Sequence, residues 1–214
     1  VQIESAQSTR GGQIVSEHHD VTGLLIWPAS HLLCQYFCMQ HRLHVPECVL
    51  ELGCGCGLVG VVALTHQNKI PSEYPLRWVS TDMDTNALEL CRRNYQRNGL
   101  SIQNEDRTTS HPTTISARIE KLTWGNESEM CTIEGILYTQ TGFSTVDLIV
   151  AADIVYPTTT REVLIQLLKT VDRFLKQDGV FMLSFATRDG HKTPAKLIEA
   201  ASSTGFAISS KASG

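Results

Sequence analysis

The chain has 214 residues, of which 42% are hydrophobic and 19% are charged, and its formal net charge is −4. A chain of this length holds one sizeable core and is too short for two independent ones. No apolar run reaches the roughly 18 to 20 residues that a membrane span needs, and Lys and Arg are scattered along the sequence. Composition thus argues against a membrane protein and against general nucleic-acid binding, and it favours a protein or small-molecule substrate.

The seven cysteines are odd in number and follow no secretory leader. We therefore expect free thiols in a reducing compartment, which is typical of a cytoplasmic or nuclear protein. The chain begins at Val1, so this expectation leaves open a segment upstream. We also expect a monomer, and the mild acidity favours a target with a basic surface.

Residues 1–22 are polar and irregular, which predicts a flexible N-terminal arm followed by a single domain over residues 23–214. Ser30 is a suitable N-cap for a helix with the sequence HLLCQYFCMQHRL, and Trp27 comes just before it.

A stripe of possible metal ligands runs along that helix: His31, Cys34, Cys38 and His41. Ligands strung over three turns of one helix span about 15 Å and cannot converge on one tetrahedral ion. We predict no metal site here and interpret the stripe as facing the core, with polar ends.

The sequence ELGCGCG follows a buried strand over residues 49–52 and precedes a helix from about Leu58 to His66. Glycines at 53, 55 and 57 allow a ligand to lie against bare peptide at the end of the strand. Glu51 would repel a pyrophosphate but suits an ammonium group or a hydroxyl donor. The loop therefore favours S-adenosylmethionine over NAD, and a plain strand-to-helix turn is the alternative.

A second strand, LRWVSTDMD, ends in acidic residues, and Asp82 and Met83 lie near its end. In a doubly wound sheet this position delivers a carboxylate to a ribose hydroxyl. An amphipathic helix, TNALELCRRNYQRNGL, follows and is closed by Asn98 and Gly99. Residues 101–112 are interpreted as a loop insertion.

The sequence ISARIEKLTWGN predicts a third strand with Trp124 at its exit, while a hairpin and a mobile flap both remain open for residues 126–145. Residues 146–152 predict a fourth strand, with Asp153 at its end. A helix from Pro157 to Gly179, a strand VFMLSFATRD, a helix near Pro194 to Ser203 and the start of a strand at Phe206 to Ser209 complete the prediction. Strands alternating with helices predict a doubly wound, mostly parallel α/β sheet.

In such a sheet the strand ends share one rim, so Gly53, Asp82, Trp124 and Asp153 are expected to meet in one crevice. The glycine loop with Asp82 resembles the cofactor motifs of seven-β-strand S-adenosylmethionine-dependent methyltransferases. More narrowly, GLLIWPAS, LTWG and ADIVY resemble protein-lysine methyltransferase family 16, of the methyltransferase-like 21 and 22 type, whose signature is D-x-x-Y. The resemblance covers about residues 20 to 190.

This resemblance implies a Rossmann-like sheet of seven strands and methyl transfer from S-adenosylmethionine to a lysine of a protein, with S-adenosylhomocysteine as product. The chain stops at Gly214 with room for only the start of the closing hairpin, which we expect to be incomplete. Asp153 and Tyr156 are the predicted catalytic residues. The predicted cofactor contacts are Trp27, Glu51, Gly53, Cys54, Gly55, Gly57, Asp82, Met83, Trp124 and Ala152.

Structural alternatives exist for several of these residues. Asp153 could cap the helix near Pro157, Tyr156 could pack at the rim, and Trp27 and Trp124 could cover the sheet edge. Two functional alternatives also remain. One is a methyltransferase for a small molecule or nucleic acid, which is disfavoured for base amines because the sequence reads DIVY rather than N-P-P-Y. The other is a cofactor-binding scaffold without turnover.

Overall fold

A computed structural model describes residues 1–6, 22–39, 48–67, 76–103 and 115–209. A short 3-10 helix over Thr22–Leu24 precedes the regular elements. These elements are α1 (Pro28–Met39), β1 (Cys48–Leu52), α2 (Leu58–Gln67), β2 (Leu76–Asp82), α3 (Thr85–Arg97), β3 (Ile115–Lys121), α4 (Glu127–Thr141), β4 (Val146–Ala152), α5 (Arg161–Phe174), β5 (Leu175–Ser184) and α6 (Lys192–Ser203).

The strands form one sheet in the order β3-β2-β1-β4-β5, and every pair of neighbours is parallel. The predicted doubly wound α/β fold is thus confirmed. The prediction of seven strands is not, because the described residues form five. Residues 206–209 form no strand, and residues 210–214 lie outside the described part. The strand order reverses between β1 and β4, which creates the crevice where such sheets bind ligands.

Two apolar cores cover the two faces of the sheet, since successive side chains of a strand point to opposite faces. Leu50 and Leu52 of β1 pack in the core that α4 and α5 cover. Val49 packs in the core beneath α2 and α3. Glu51 has the same parity as Val49, and its side chain therefore enters the α2 and α3 side. Among the described residues, no helix combines the length and apolar character of a membrane span.

Residues 126–145, for which the sequence is compatible with a hairpin or a mobile flap, contain helix α4 instead. Asn126 caps it by accepting a hydrogen bond from the Glu129 N–H (3.1 Å), and Gly142 ends it with φ of 77°. Its buried face consists of Met130, Ile133, Ile136 and Leu137. An asparagine N-cap followed by helically spaced apolar residues accounts for this helix.

The boundaries predicted for α5 are wrong at both ends. The helix begins at Arg161, where the Thr160 side chain caps it, and not at Pro157. It ends at Phe174 and not at Gly179, because β5 starts at Leu175 and pairs with β4. Strand pairing therefore overrides the helical appearance of the polar run that precedes Gly179.

Residues 1–6, here called the N-terminal strap, lie along α3 and are not a free arm. The Asn98 amide accepts from the Gln2 N–H (2.9 Å) and donates to the Gln2 carbonyl (2.6 Å). The Asn94 amide makes the same pair of hydrogen bonds to Glu4, at 2.7 and 2.9 Å. The rest of the predicted arm, residues 7–21, lies outside the described residues, as do residues 104–112 of the predicted loop insertion.

Helix α1 begins at Pro28, a residue suited to a first helical turn, and not after Ser30. The stripe of possible metal ligands does not face the core as expected. Cys34 is buried, whereas His31 and Cys38 are exposed. His41 lies outside the described residues.

Candidate active site

The glycine loop between β1 and α2 is a tight turn in which the glycines leave no room for a Cβ. Gly53 and Gly55 have φ of 65° and 52°, which L side chains rarely adopt. A Cβ on Gly53 would lie 2.5 Å from Ile154 Cγ2, and one on Gly55 would lie 3.0 Å from the Gly23 carbonyl oxygen. The loop is tied to β2, since the Cys54 N–H donates to the Thr81 carbonyl at 2.9 Å. This position accepts only bare peptide.

Asp82 connects the same loop to the end of β2. Its Oδ2 accepts from the Gly55 N–H (2.9 Å) and its Oδ1 accepts from the Asp84 N–H (3.0 Å). Burial raises the pKa of Asp82 above its usual range, while these two hydrogen bonds act in the opposite direction. Each carboxylate oxygen keeps a lone pair, so Asp82 can accept two further hydroxyl donors. Met83 follows with its side chain exposed.

The Glu51 side chain is buried at the end of β1. Its Oε2 accepts from Trp78 Nε1 (2.9 Å) and from Ser80 Oγ (2.8 Å), and Ser80 Oγ shares a hydrogen bond of 2.8 Å with the Tyr95 hydroxyl. Burial raises the pKa of Glu51 to about 7, although the hydrogen bonds from Trp78 and Ser80 lower it. The carboxyl group thus serves a buried polar cluster, which α2 crosses at Gly60.

The thiols of the loop are also buried. A hydrogen bond with Cys91 and burial raise the pKa of Cys54, and burial raises the pKa of Cys56 to about 11. Both thiols therefore stay protonated at neutral pH and fill space under the loop.

Asp153, directly after β4, is buried and has a φ of 57°. It is the one non-glycine with positive φ in the part of the chain that the structure describes. Its Oδ2 accepts from the Ala29 N–H of α1 (3.3 Å), and its Oδ1 accepts from the Ala186 N–H after β5 (3.1 Å). The alternative that Asp153 caps the helix after it is wrong, because Thr160 caps α5 and Asp153 lies at the start of α1.

Two aromatic rings and the Asp153 carboxylate face one cation. The rings of Trp27 and Tyr156 are 5.9 Å apart and inclined by 63°. The guanidinium carbon of Arg188 lies 5.0 Å from the Trp27 ring centre and 5.6 Å from that of Tyr156. Its Nη2 lies 3.0 Å from Asp153 Oδ2. We call the two rings and the carboxylate the cation box.

Trp124 and Ala152, two further predicted residues, lie at the rim of the sheet and make contacts with neighbouring elements of the fold. Trp124 is half-buried and packs against the core of α4 and α5. The turn at Trp124 is held by the Gly125 N–H, which donates to Thr170 Oγ1 at 3.0 Å, and by the Leu122 N–H, which donates to the Asp82 carbonyl at 3.0 Å. Ala152 pairs with Ser184 at the end of β4.

Neither Arg188 as a site residue nor the contact between Gly23 and the glycine loop was predicted from the sequence. Arg188 follows the end of β5 by four residues, and every segment that follows a strand of a parallel sheet reaches the same rim. That topological signal was sufficient to include Arg188 among the candidates. The Gly23 contact has no comparable signal, since it depends on how the segment before α1 folds back.

The sheet is doubly wound and parallel, with a bare glycine loop after its first strand and a carboxylate after its second. These features define a Rossmann-like, cofactor-binding α/β protein. The solved structure of a ribosomal protein L11 methylase from Lactobacillus delbrueckii subsp. bulgaricus has this fold. It superimposes with a TM-score of 0.55 at 18% identity, covering 89% of this chain and 75% of that one.

Relatives in sequence identify the family. The lysine methyltransferase family profile matches residues 9–203. The chain is 30% identical over 165 residues to protein N-lysine methyltransferase METTL21A of Xenopus tropicalis, which covers 77% of this chain and 60% of that protein. It is 27% identical over 115 residues to histone-arginine methyltransferase METTL23 of Mus musculus, covering 52% and 36%. The chain belongs to the lysine methyltransferase family, and it spans about 60% of the length of the METTL21A relatives it matches.

Proposed function

We propose that this protein transfers a methyl group from S-adenosylmethionine to a lysine side chain of a protein. One observation carries the proposal: the bare glycine loop with Asp82 and the cation box with Asp153 occupy the same rim of the sheet. The first set suits a cofactor with a ribose and an amino acid, and the second suits a cationic side chain. Membership of the lysine methyltransferase family supports both assignments.

The residues around the glycine loop fit the cofactor. S-adenosylmethionine, when bound, supplies a methyl group on a cationic sulfonium. Asp82 holds the ribose hydroxyls through its two free lone pairs, and the backbone of the loop offers a surface without Cβ atoms. Glu51 supports the loop from beneath through Trp78 and Ser80. The other residues predicted to line the cofactor are Trp27, Cys54, Gly57, Met83, Trp124 and Ala152.

The cation box holds and orients the target amine. A free lysine has a pKa near 10.4, so the neutral amine needed for attack costs roughly 4 to 5 kcal/mol at pH 7. The rings of Trp27 and Tyr156 and the Asp153 carboxylate first bind the side chain as a cation. The ammonium then gives up its proton through the Asp153 carboxylate to water, which leaves the neutral amine that attacks. Asp153 accepts an N–H of the side chain and so aligns its lone pair. Tyr156 and Asp153 are the catalytic residues in this proposal.

An arginine of a protein is a second candidate for the methyl acceptor. The box already contains a guanidinium group, that of Arg188, in contact with both rings and the carboxylate. METTL23, a relative by sequence, carries the name of an arginine methyltransferase. The planar guanidinium stacks on aromatic rings better than an ammonium does.

The proposal extends to the partner and the compartment. The protein acts as a monomer on a protein with a basic surface, in the cytoplasm or the nucleus. Cysteines at 34, 38, 48, 54, 56, 91 and 131 are all free thiols, which supports a reducing compartment.

The test is transfer of radiolabelled methyl from S-adenosylmethionine into proteins of a cell extract depleted of this protein. Wild type is compared with Asp153→Asn, which keeps the shape of the side chain and removes its charge. Asp147→Asn is the matched control, since Asp147 is an exposed aspartate that pairs with Lys176. Near-ultraviolet circular dichroism establishes that each variant is folded.

We expect a labelled protein band with wild type and Asp147→Asn, and a loss of about 100-fold or more with folded Asp153→Asn. Mass spectrometry of the band then identifies lysine or arginine. Equal labelling by folded Asp153→Asn would refute the role of Asp153. Label confined to nucleic acid or small molecules would refute the protein substrate.

A further inference from the structure

Arg188 occupies the place that the proposed function reserves for the substrate. Its guanidinium lies over Trp27 at 5.0 Å and over Tyr156 at 5.6 Å, and it pairs with Asp153 Oδ2 at 3.0 Å. These three groups are the ones that would bind an incoming ammonium. The Asp153 side chain is fully buried.

The box cannot hold two cations. A substrate cation would have to use the same ring faces and the same carboxylate oxygen, and two like charges so close together repel each other. Removal of Arg188 without replacement is also unfavourable, because it leaves a buried carboxylate short of a partner. Exchange of one cation for another avoids both costs.

The surroundings of Asp153 permit such an exchange. Its carboxylate keeps the N–H groups of Ala29 and Ala186 as donors when the guanidinium leaves, so it stays oriented. The Arg188 side chain is 29% exposed and belongs to the segment between β5 and α6, outside any helix or strand. The backbone is anchored at Ala186, and only a long side chain has to move.

We infer that Arg188 is a resident pseudosubstrate: it closes the cation box in the substrate-free protein, and the cationic side chain of the substrate displaces it. This inference rests on the proposed function for the identity of the competing cation. Arg188 thereby selects against side chains without charge, since a neutral side chain gains nothing that offsets the broken Arg188–Asp153 pair.

The test asks whether the box binds a cation once Arg188 is removed. Arg188→Ala and Arg188→Met are titrated with ethylguanidinium chloride, n-butylammonium chloride and neutral n-butanol, at constant ionic strength and without cofactor or methyl acceptor. Thermal denaturation and tryptophan emission are the two signals. Wild type and Arg161→Ala, which removes an exposed arginine at the start of α5, are the controls.

We expect both cations, but not n-butanol, to raise the melting temperature of the Arg188 variants and change the emission of Trp27. Binding by wild type and Arg161→Ala is expected to be about tenfold weaker or less. The added substitution Trp27→Leu should abolish the effect. Should Arg188→Ala fail to fold, Arg188→Met provides the same measurement, because its side chain fills the space without charge.

Equal binding by wild type and both Arg188 variants, or no binding by either folded variant, would overturn the inference. The measurement needs no methyl transfer, so it stands apart from the proposed function. Where a methylated protein is in hand, Arg188→Met is expected to lower its KM about tenfold with little change in kcat. A lower kcat at unchanged KM would instead make Arg188 part of the chemistry and would also overturn the inference.

Discussion

The pKa of Glu51 predicts a specific loss of stability as pH rises. Its carboxyl group is buried among Trp78, Ser80 and Tyr95, and burial raises its pKa from 4.5 to about 7. The folded protein therefore holds the proton more tightly than the unfolded chain does. By linkage, the free energy of unfolding contains a favourable contribution below pH 4.5, which is lost as pH rises through 7.

The magnitude follows from the shift of about 2.5 pH units. At about 1.36 kcal/mol per unit, Glu51 removes about 3 kcal/mol from the free energy of unfolding between pH 4.5 and 8. The substitution Glu51→Gln replaces the carboxyl group by a neutral amide of the same shape. Its oxygen can still accept from Trp78 and Ser80. We expect the variant to lack this pH dependence.

The assay is urea denaturation of wild type and Glu51→Gln at intervals between pH 5 and pH 8. The difference between their free energies of unfolding isolates the contribution of Glu51, because every other titratable group is common to both proteins. Glu89→Gln is the control, since Glu89 is exposed and its pair with Arg93 is long. A wild-type curve parallel to that of Glu51→Gln would refute the assignment of a raised pKa to Glu51.

Three further predictions concern the strap, the loop and Asp82. Asn94→Ala removes the hydrogen bonds to Glu4 and to the Cys56 carbonyl. Urea denaturation should show that the free energy of unfolding falls by about 1 to 3 kcal/mol, and amide exchange in residues 1–6 should become faster. An unchanged exchange rate would mean that Asn94 does not hold the strap. Gly53→Ala should abolish the thermal shift by S-adenosylhomocysteine. Gly142→Ala, equally strained at φ of 77° but with nothing within 4 Å of a Cβ, should retain it. Retention of the full shift by folded Gly53→Ala would show that cofactor binding does not need bare peptide at this position. Asp82→Asn should weaken S-adenosylhomocysteine binding about tenfold in calorimetry, and unchanged affinity would remove Asp82 from the cofactor site.

The sheet and its rim could be predicted from the sequence because local patterns and topology agree there. Residues 49–52 and 146–152 are apolar runs of strand length, and glycines or an acid follow each of them. Parallel connectivity then brings the strand ends to one rim without knowledge of any contact. The positions of Gly53, Asp82 and Asp153 follow from this reasoning.

The elements that were missed depend on contacts between distant segments. The C-terminal boundary of α5 is set by the pairing of β5 with β4, which no local pattern in LKQDG indicates. The motif alone suggested that Glu51 contacts the ligand, whereas strand parity places its side chain on the α2 and α3 side of the sheet. Helix α4 is different: its cap at Asn126 and its buried spacing are visible in the sequence, so that segment was predictable.

Asp153 has a structural role and a role in the candidate site at the same time. The same carboxylate joins the first turn of α1 to the segment after β5 and pairs with Arg188 in the cation box. A left-handed backbone at φ of 57° costs free energy in a non-glycine residue and persists because these contacts hold it. Trp27 comes directly before α1, so the hydrogen bond from Ala29 to Asp153 also fixes one aromatic wall of the box. The position of the wall and the charge of the box therefore depend on one side chain, and its substitution should affect both together.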